Sequence, residues 1–192
     1  FIGDRQGKIS DWNAGNVTLQ GPSGSRCIFL NRNDYLKFTG FHLQVDDTQA
    51  VYAYFSQGAR FEQCDFVNTT THAIYLYSSG VTLVNCLIHD SGGMGLYCFG
   101  DSDVEVWNCT IANNTNDGMR AVNTSTITLR NSIVAFNGRY GLYELTGEID
   151  HSYNLVFGNN NADYINTVAG VGELNVDPEF VCDDSYYLSE DS

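Results

Sequence analysis

Hydrophobic positions in this chain recur every 22 or 23 residues. The segment at 81–88 reads Val-Thr-Leu-Val-Asn-Cys-Leu-Ile, and the same alternation returns at 104–111 and 127–134. Aligning these copies gives one column of Phe41, Cys64, Cys86, Cys109, Ser132 and Asn154, and a second of Leu43, Phe66, Ile88, Ile111, Val134 and Val156. A fixed period of this length predicts a solenoid in which each repeat forms one coil.

A second segment of each repeat alternates apolar residues with larger aromatic or polar ones, as at 73–77, 95–99, 118–122 and 141–145. A period of two is typical of β-strands. Each coil is therefore predicted to hold three short strands and three turns, stacked in parallel at about 4.8 Å per coil with a right-handed connection. The sequence predicts an all-β fold, a right-handed single-stranded parallel β-helix. We expect about six to seven coils of about 21–23 residues, because each coil buries its apolar face only against its neighbours.

One domain is expected over 1–192, with regular coils at 16–165 and a closing segment at 166–192. The Val-Thr-Leu strand at 81–83, the Asn before the cysteine column (Asn85, Asn108) and the Gly-Leu-Tyr strand at 95–97 resemble the pectate-lyase-like β-helix superfamily of secreted bacterial proteins. The resemblance implies a polysaccharide groove along the Gly-Leu-Tyr strand. It also implies an asparagine ladder at the bend that holds Gln63, Asn85, Asn108 and Asn131. The catalytic motifs of polygalacturonase-like hydrolases are missing, and no pectate-lyase arginine motif is evident.

Two columns are predicted to face outward from the Gly-Leu-Tyr strand. They consist of Phe29, Tyr52, Tyr75, Tyr97, Arg120 and Tyr143, and of Asn31, Tyr54, Tyr77, Phe99, Val122 and Leu145. Sugar rings pack their apolar faces on aromatic rings, and phenol hydroxyls bond to sugar hydroxyls. The predicted substrate-binding residues are Tyr52, Tyr54, Tyr75, Tyr77, Tyr97, Phe99 and Tyr143. Alternatively, these rings pack only on one another or on a covering segment or subunit.

Ionisable residues flank this strand in the turns before and after it. The densest cluster joins Asp117 and Arg120 with Asp90 and Arg139 on neighbouring coils, while Asp46 and Asp47 precede an earlier strand. A lyase needs a base and a cation near a uronate, and a hydrolase needs two carboxylates. Asp90, Asp117 and Arg120 are the candidate catalytic residues. The alternative is that they are turn-forming aspartates and a solvated arginine.

The chain has 9 basic and 23 acidic residues, a net charge of −14. Nucleic acid is excluded as a partner because phosphate binding requires clustered Lys and Arg. No apolar run is long enough for membrane insertion. Cys64, Cys86 and Cys109 share one inward column and are expected to be free thiols. No cofactor or metal site is predicted, and calcium is the ion that the acidity would suit.

The leading hypothesis is an extracellular or cell-surface module that binds a polysaccharide or glycan through the tyrosine face. The first alternative is a polysaccharide lyase or glycoside hydrolase. The second is a structural spacer within a larger surface protein or adhesin. The chain opens at Phe1 without a leader, and the expectation is a mature fragment or an excised domain.

Overall fold

The computed structural model describes residues 17–20, 24–45, 48–180 and 186. These residues contain twenty β-strands, and all strand pairs between neighbouring coils are parallel and in register. Six complete coils of three strands follow one another, which confirms the predicted parallel β-helix. Each coil contributes one strand to each of three sheets, so the apolar interior is enclosed on three sides.

The aromatic sheet contains β2 (Ile28–Asn31), β5 (Val51–Tyr54), β8 (Ile74–Tyr77), β11 (Leu96–Phe99), β14 (Met119–Ala121), β17 (Tyr140–Glu144) and β20 (Ala162–Ile165). The middle sheet contains β3 (Lys37–Thr39), β6 (Ala59–Glu62), β9 (Gly80–Val84), β12 (Asp103–Trp107), β15 (Thr126–Arg130) and β18 (Glu148–Ser152). The histidine sheet contains β1 (Val17–Gln20), β4 (Phe41–Gln44), β7 (Asp65–Val67), β10 (Leu87–His89), β13 (Thr110–Ala112), β16 (Ile133–Ala135) and β19 (Leu155–Phe157).

The predicted core columns are buried. The column from Leu43 to Val156 has no solvent exposure in any coil, and Cys64, Cys86 and Cys109 are at most 3% exposed. The described cysteines are free, as expected. These sulfurs also take part in hydrogen bonds. The Cys86 backbone N–H, for example, donates to the Cys109 sulfur at 3.4 Å.

Many bends of the coil contain a residue with positive φ, and several of these residues are followed by a buried polar side chain, as at Ser79, Asn114 and Ser132. At the bend between the middle and histidine sheets, the positive-φ residues include Gln63, Asn85, Asn108 and Asn131. Their side chains are exposed, so the asparagine ladder expected at these positions is wrong. Asparagine is favoured there because it tolerates the left-handed conformation.

The buried asparagine ladder lies at the bend between the histidine and aromatic sheets. The Asn114 amide nitrogen donates to Asn137 Oδ1 at 2.9 Å, and Asn137 donates to Asn159 Oδ1 at 2.8 Å. Asn137 Oδ1 also accepts the Asn114 backbone N–H at 3.1 Å, and Asn159 Oδ1 accepts the Asn137 backbone N–H at 3.0 Å. Asn159 in turn donates to Asp163 Oδ1 at 2.8 Å. These bonds satisfy amides that would otherwise be buried without a partner.

The glycine before the aromatic strand makes room for this ladder. A Cβ on Gly118 would lie 2.8 Å from Asn137 Nδ2 and 2.9 Å from the Gly141 carbonyl oxygen. The equivalent residue two coils earlier is Ala73, where the next ladder residue is the smaller Ser91. The residue before the aromatic strand is therefore glycine where its ladder neighbour is the larger Asn137, and alanine where its ladder neighbour is the smaller Ser91.

The last coil ends on a buried carboxylate. The side chain of Glu173 is 1% exposed and accepts hydrogen bonds from the Asn154 amide at 2.8 Å and the Tyr164 hydroxyl at 2.8 Å. His151 Nδ1 lies 2.8 Å from the same carboxylate. Burial alone would raise the pKa of Glu173, but these donors outweigh it and the pKa lies below its ordinary value. Glu144, which pairs with the buried Ala121 of the coil before it, is half-buried and accepts the Ile149 backbone N–H at 2.9 Å.

Candidate functional site

The outer surface of the aromatic sheet carries two columns of ring side chains, which we call the aromatic face. Along β5, β8 and β11, buried residues alternate with half-exposed ones because side chains of a strand point to opposite sides. Tyr52 pairs with Tyr75, and Tyr75 with Tyr97. The structure places every predicted substrate-binding residue on this face: Tyr52, Tyr75, Tyr97 and Tyr143 in the first column, and Tyr54, Tyr77 and Phe99 in the second.

Neighbouring tyrosine rings within each column contact one another at a tilt, whereas Phe29 stacks nearly flat on Tyr52 with an interplanar angle of 11°. In the first column, the ring centroids of Tyr52 and Tyr75 are 5.0 Å apart and those of Tyr75 and Tyr97 are 5.1 Å apart, with interplanar angles of 57° and 58°. In the second column, the spacing is 5.3 Å between Tyr54 and Tyr77. Because neighbouring rings are tilted, part of each ring surface is left for other contacts. Burial raises the pKa of Tyr75 above its ordinary value, so its hydroxyl remains a proton donor at neutral pH.

A polar edge of Arg26, Gln49 and His72 borders the first column. The Arg26 guanidinium lies 4.4 Å from the centre of the Tyr52 ring, and its Nε donates to Gln49 Oε1 at 3.2 Å. Together with Tyr52, Thr71 and Tyr75, these three residues line a depression of about 280 Å³. This depression lies at the border between the aromatic face and its polar edge.

His72 is held as a neutral hydrogen-bond donor. Its Nδ1 lies 3.1 Å from the Met94 backbone N–H, so it accepts that bond and the ring proton resides on Nε2. Burial, together with the charge of Arg120, lowers the pKa of His72. The imidazole ring stacks at 14° to the Tyr75 ring. His72 therefore presents an N–H rather than a basic lone pair to the face.

Asp117 and Arg120, two of the candidate catalytic residues, form an ion pair beside the first column. Asp117 is fully buried, and Arg139 Nε lies 3.9 Å from its Oδ1. Burial raises the pKa of Asp117, although both guanidinium groups oppose the shift. The Arg120 guanidinium contacts one oxygen of this carboxylate directly, so the buried negative charge is paired.

Asp90, the third candidate catalytic residue, contacts different groups. Its Oδ2 lies 2.6 Å from His89 Nδ1, and its two oxygens accept the Tyr186 hydroxyl at 3.0 and 3.1 Å. These contacts place it beside the histidine sheet. Arg139 contacts Asp117 and lies over the Tyr140 ring at 4.5 Å. Asp46 and Asp47 lie outside the described residues.

Asp90 belongs to a histidine cluster of His42, Asp65, His89, Asp90 and Tyr186, which the sequence analysis missed. Asp65 binds His42 Nδ1 at 2.8 Å through one oxygen and His89 Nε2 at 3.0 Å through the other. Carboxylates accept and do not donate when ionised, so His89 must carry protons on both nitrogens to bridge Asp65 and Asp90. The aligned repeat places His42 and Asp65 in one column, which is the signal that could have found part of this cluster.

The pKa values of the cluster follow from this geometry. Burial alone would lower the pKa of His89, but its bonds to Asp65 and Asp90 outweigh it and the pKa is raised. Burial alone would raise the pKa of Asp65, yet the two imidazoles hold it below its ordinary value. The cluster is therefore an ion-pair network with its own charge balance rather than a set of free acids and bases.

Among the described residues, no group of three or more His, Cys, Asp and Glu side chains has the arrangement needed to hold a metal ion. The calcium hypothesis is based on the acidic composition. Within the described residues, no helix is long and apolar enough to cross a bilayer.

A family model described as "Right handed beta helix region" matches residues 26–176. This match spans most of the chain and coincides with the coils of the structure. The chain belongs to the right-handed β-helix family. No curated protein and no solved structure matches it.

Proposed function

We propose that the protein is an extracellular or cell-surface module that binds a polysaccharide along the aromatic face. The observation that carries the proposal is the in-register column of Tyr52, Tyr75 and Tyr97, with ring centroids 5.0 and 5.1 Å apart. Half-exposed rings repeated along a rod suit a linear polymer, because successive sugars can meet equivalent apolar surfaces. The protein's membership in the right-handed β-helix family fits this proposal but does not specify a ligand.

The polar edge of the face supports the same proposal. Sugar hydroxyl and ring oxygens accept hydrogen bonds, and the face offers donors in Arg26, in His72 Nε2 and in the tyrosine hydroxyls. Ligand sites commonly combine apolar surface with a small number of placed polar groups. The depression between Arg26 and His72, about 280 Å³ in volume, is where a ring and these donors would be contacted together.

The proposal is tested by measuring the binding of the protein to glycans. A glycan array would identify the ligand, and calorimetric titration would compare wild type with Tyr75→Ala. Loss of one central ring should weaken binding several-fold or more, since one aromatic contact contributes about 1 kcal/mol. Tyr35→Ala is the matched control, because Tyr35 is 85% exposed and does not belong to the aromatic face. Equal loss in both variants, or a wild-type chain indifferent to every glycan, would refute the proposal; indifference would instead favour the structural spacer.

Cleavage of the bound polymer is a second candidate, favoured by the buried Asp117 with its raised pKa beside Arg120. A lyase could use such a carboxyl as its base, whereas a hydrolase requires a second carboxylate. Asp90 is engaged by His89 and Tyr186 and so does not supply that second group. Incubation with the bound glycan should then release unsaturated, ultraviolet-absorbing oligosaccharides. Asp117→Asn should abolish their release while binding is retained. Unchanged release would exclude Asp117 as the base.

A further inference from the structure

A groove beside the histidine sheet is lined by the C-terminal segment. It has a volume of about 490 Å³ and is lined by Asn113, Phe136, Asp177, Glu179, Phe180 and Tyr186. This groove shares no lining residue with the depression on the aromatic face. Its chemistry is unlike that of the aromatic face, because carboxylates replace guanidinium groups beside the rings.

Three rings of the groove form walls that meet nearly at right angles. The planes of Phe136 and Phe180 differ by 69° with centroids 6.1 Å apart, and those of Phe180 and Tyr186 differ by 79° at 5.4 Å. Phe136 also meets Phe157 at 89°. Phe136, Phe180 and Tyr186 all line the groove, so differently oriented rings border the same space. This is the arrangement by which aromatic cages surround an ammonium group.

The Tyr186 ring is fixed in place before any ligand arrives. Its hydroxyl donates to Asp90 and accepts the Asn113 amide at 2.8 Å. The His89 ring packs on it at a centroid distance of 4.7 Å. The positive charge of His89 is offset by its contacts with the carboxylates of Asp65 and Asp90. The histidine therefore does not leave a net positive charge behind the ring.

The charged side chains that line the groove are carboxylates. Asp177 and Glu179 are both exposed, and Asp177 Oδ1 accepts the Glu179 backbone N–H at 2.9 Å. No Lys or Arg lines the groove in the part of the chain that the structure describes. Carboxylates beside ring faces attract a cation and repel an anion.

We propose that this groove binds an organic cation, specifically a quaternary or methylated ammonium group. Phe136, Phe180 and Tyr186 would contact the methyl groups, and Asp177 and Glu179 would supply the counter-charge. The proposal is independent of glycan binding, since either surface could be active without the other.

Choline and its neutral isostere 3,3-dimethylbutan-1-ol are the probes. They have the same shape, so a difference in affinity reports the charge. Titration of the full chain, followed by NMR or calorimetry, should show choline binding about fivefold or more tightly than the isostere. Phe180→Ala should weaken choline binding by a similar factor, and Asp177→Asn combined with Glu179→Gln should narrow the difference between the two probes.

Tyr75→Ala and Tyr35→Ala are the matched controls, because the first removes a ring of the aromatic face and the second an exposed ring near the other end of the rod. Both should bind choline as the wild type does. Equal affinity for the two probes would overturn the proposal by showing apolar binding only. So would an absence of choline binding in the wild type, or a loss of binding in Tyr75→Ala but not in Phe180→Ala.

Discussion

On the aromatic sheet, the outward positions of successive coils hold rings that remain half-exposed, and the charges beside them belong to Arg26, Arg120 and Arg139. On the histidine sheet, Ala112 and Ala135 also lie at outward positions, yet both are fully buried. The charges there belong to carboxylates and to His89. Both sheets are built from one repeat and share one core, so the fold sets the positions while the outward residues set the chemistry. Substitutions in the shared core should therefore affect both surfaces, whereas substitutions of outward residues on one sheet should leave the other surface unchanged.

The largest effect is expected from the shared core. Ile111→Asp would place an unpaired charge at a fully buried position, which costs several kcal/mol and should unfold the domain. Thr110→Asp is the matched control, because Thr110 precedes Ile111 in β13 and points outward. Circular dichroism and thermal melting would compare the two. A folded, soluble Ile111→Asp chain would contradict the register of the coil.

The next effect is expected at the bend that joins the two sheets. Gly118→Ala should destabilise the fold by about 1–3 kcal/mol, since the added methyl group would collide with Asn137. Denaturant unfolding measures this cost. Adding Asn137→Ser should recover part of it as a favourable coupling in a double-mutant cycle, because the smaller side chain restores the Ala–Ser pairing found at Ala73 and Ser91. A fully additive cycle would argue against the size relationship.

An effect of similar size, but with a defined pH dependence, is expected on the histidine sheet. The raised pKa of His89 means that its stabilising contribution is complete below its unfolded pKa of about 6.5 and is lost as the pH rises through the folded value. The lowered pKa of Asp65 makes its contribution complete above about pH 4 and lost only at lower pH.

The measurement is the difference in melting temperature between wild type and His89→Gln across pH 4 to 9. We expect His89→Gln to cost about 1–3 kcal/mol near pH 5 to 6, as one partner of a buried hydrogen-bonded network is removed, and less as the pH rises. The subtraction removes contributions from His72 and Glu173, which both chains share. A difference that grows with pH would show that His89 is not the bridging imidazolium.

The smallest effect on stability is expected on the aromatic face. Tyr75→Ala should change the free energy of unfolding by less than Ile111→Asp or His89→Gln, because the ring is half-exposed, while glycan affinity falls several-fold. Chemical denaturation and calorimetric titration of the same preparation would separate the two quantities. If Tyr75→Ala mainly lowers stability and leaves affinity unchanged, the rings serve only to pack on one another.

The core of the fold could be predicted from sequence because it obeys the period. Leu43, Phe66 and Ile88 lie one coil apart, so alignment alone assigned them to one buried column. The aromatic face followed from the same alignment, shifted by one strand position. The expected grouping of Asp90 with Asp117 was based on nearness in the turn. The period does not specify which way a turn residue points, and the structure gives Asp90 other partners.

Other features lay beyond the repeat. Tyr186 reaches Asp90 from 96 positions away, and no column predicts a contact from outside the coils. The asparagine ladder was assigned to the wrong bend, because Asn85, Asn108 and Asn131 recur about as regularly as Asn114, Asn137 and Asn159. Only burial and hydrogen bonds distinguish the two sets. The sequence contains nothing that identifies the side chains of Asn114 and Asn137 as buried.

The asparagine ladder has a direction, and this governs how the rod can lengthen. Each amide accepts from the coil before it and donates to the coil after it, whereas Asp163 and Glu173 accept but have nothing to pass on when ionised. A carboxylate is thus a terminator for the ladder. A duplicated 23-residue unit placed between Gly118 and Gly141 would receive a hydrogen bond from the coil before it and donate one to the coil after it, and would extend the aromatic sheet by one strand. If the same unit were placed after Asp163, its ladder asparagine would receive no hydrogen bond from the coil before it, because the Asp163 carboxylate cannot donate one.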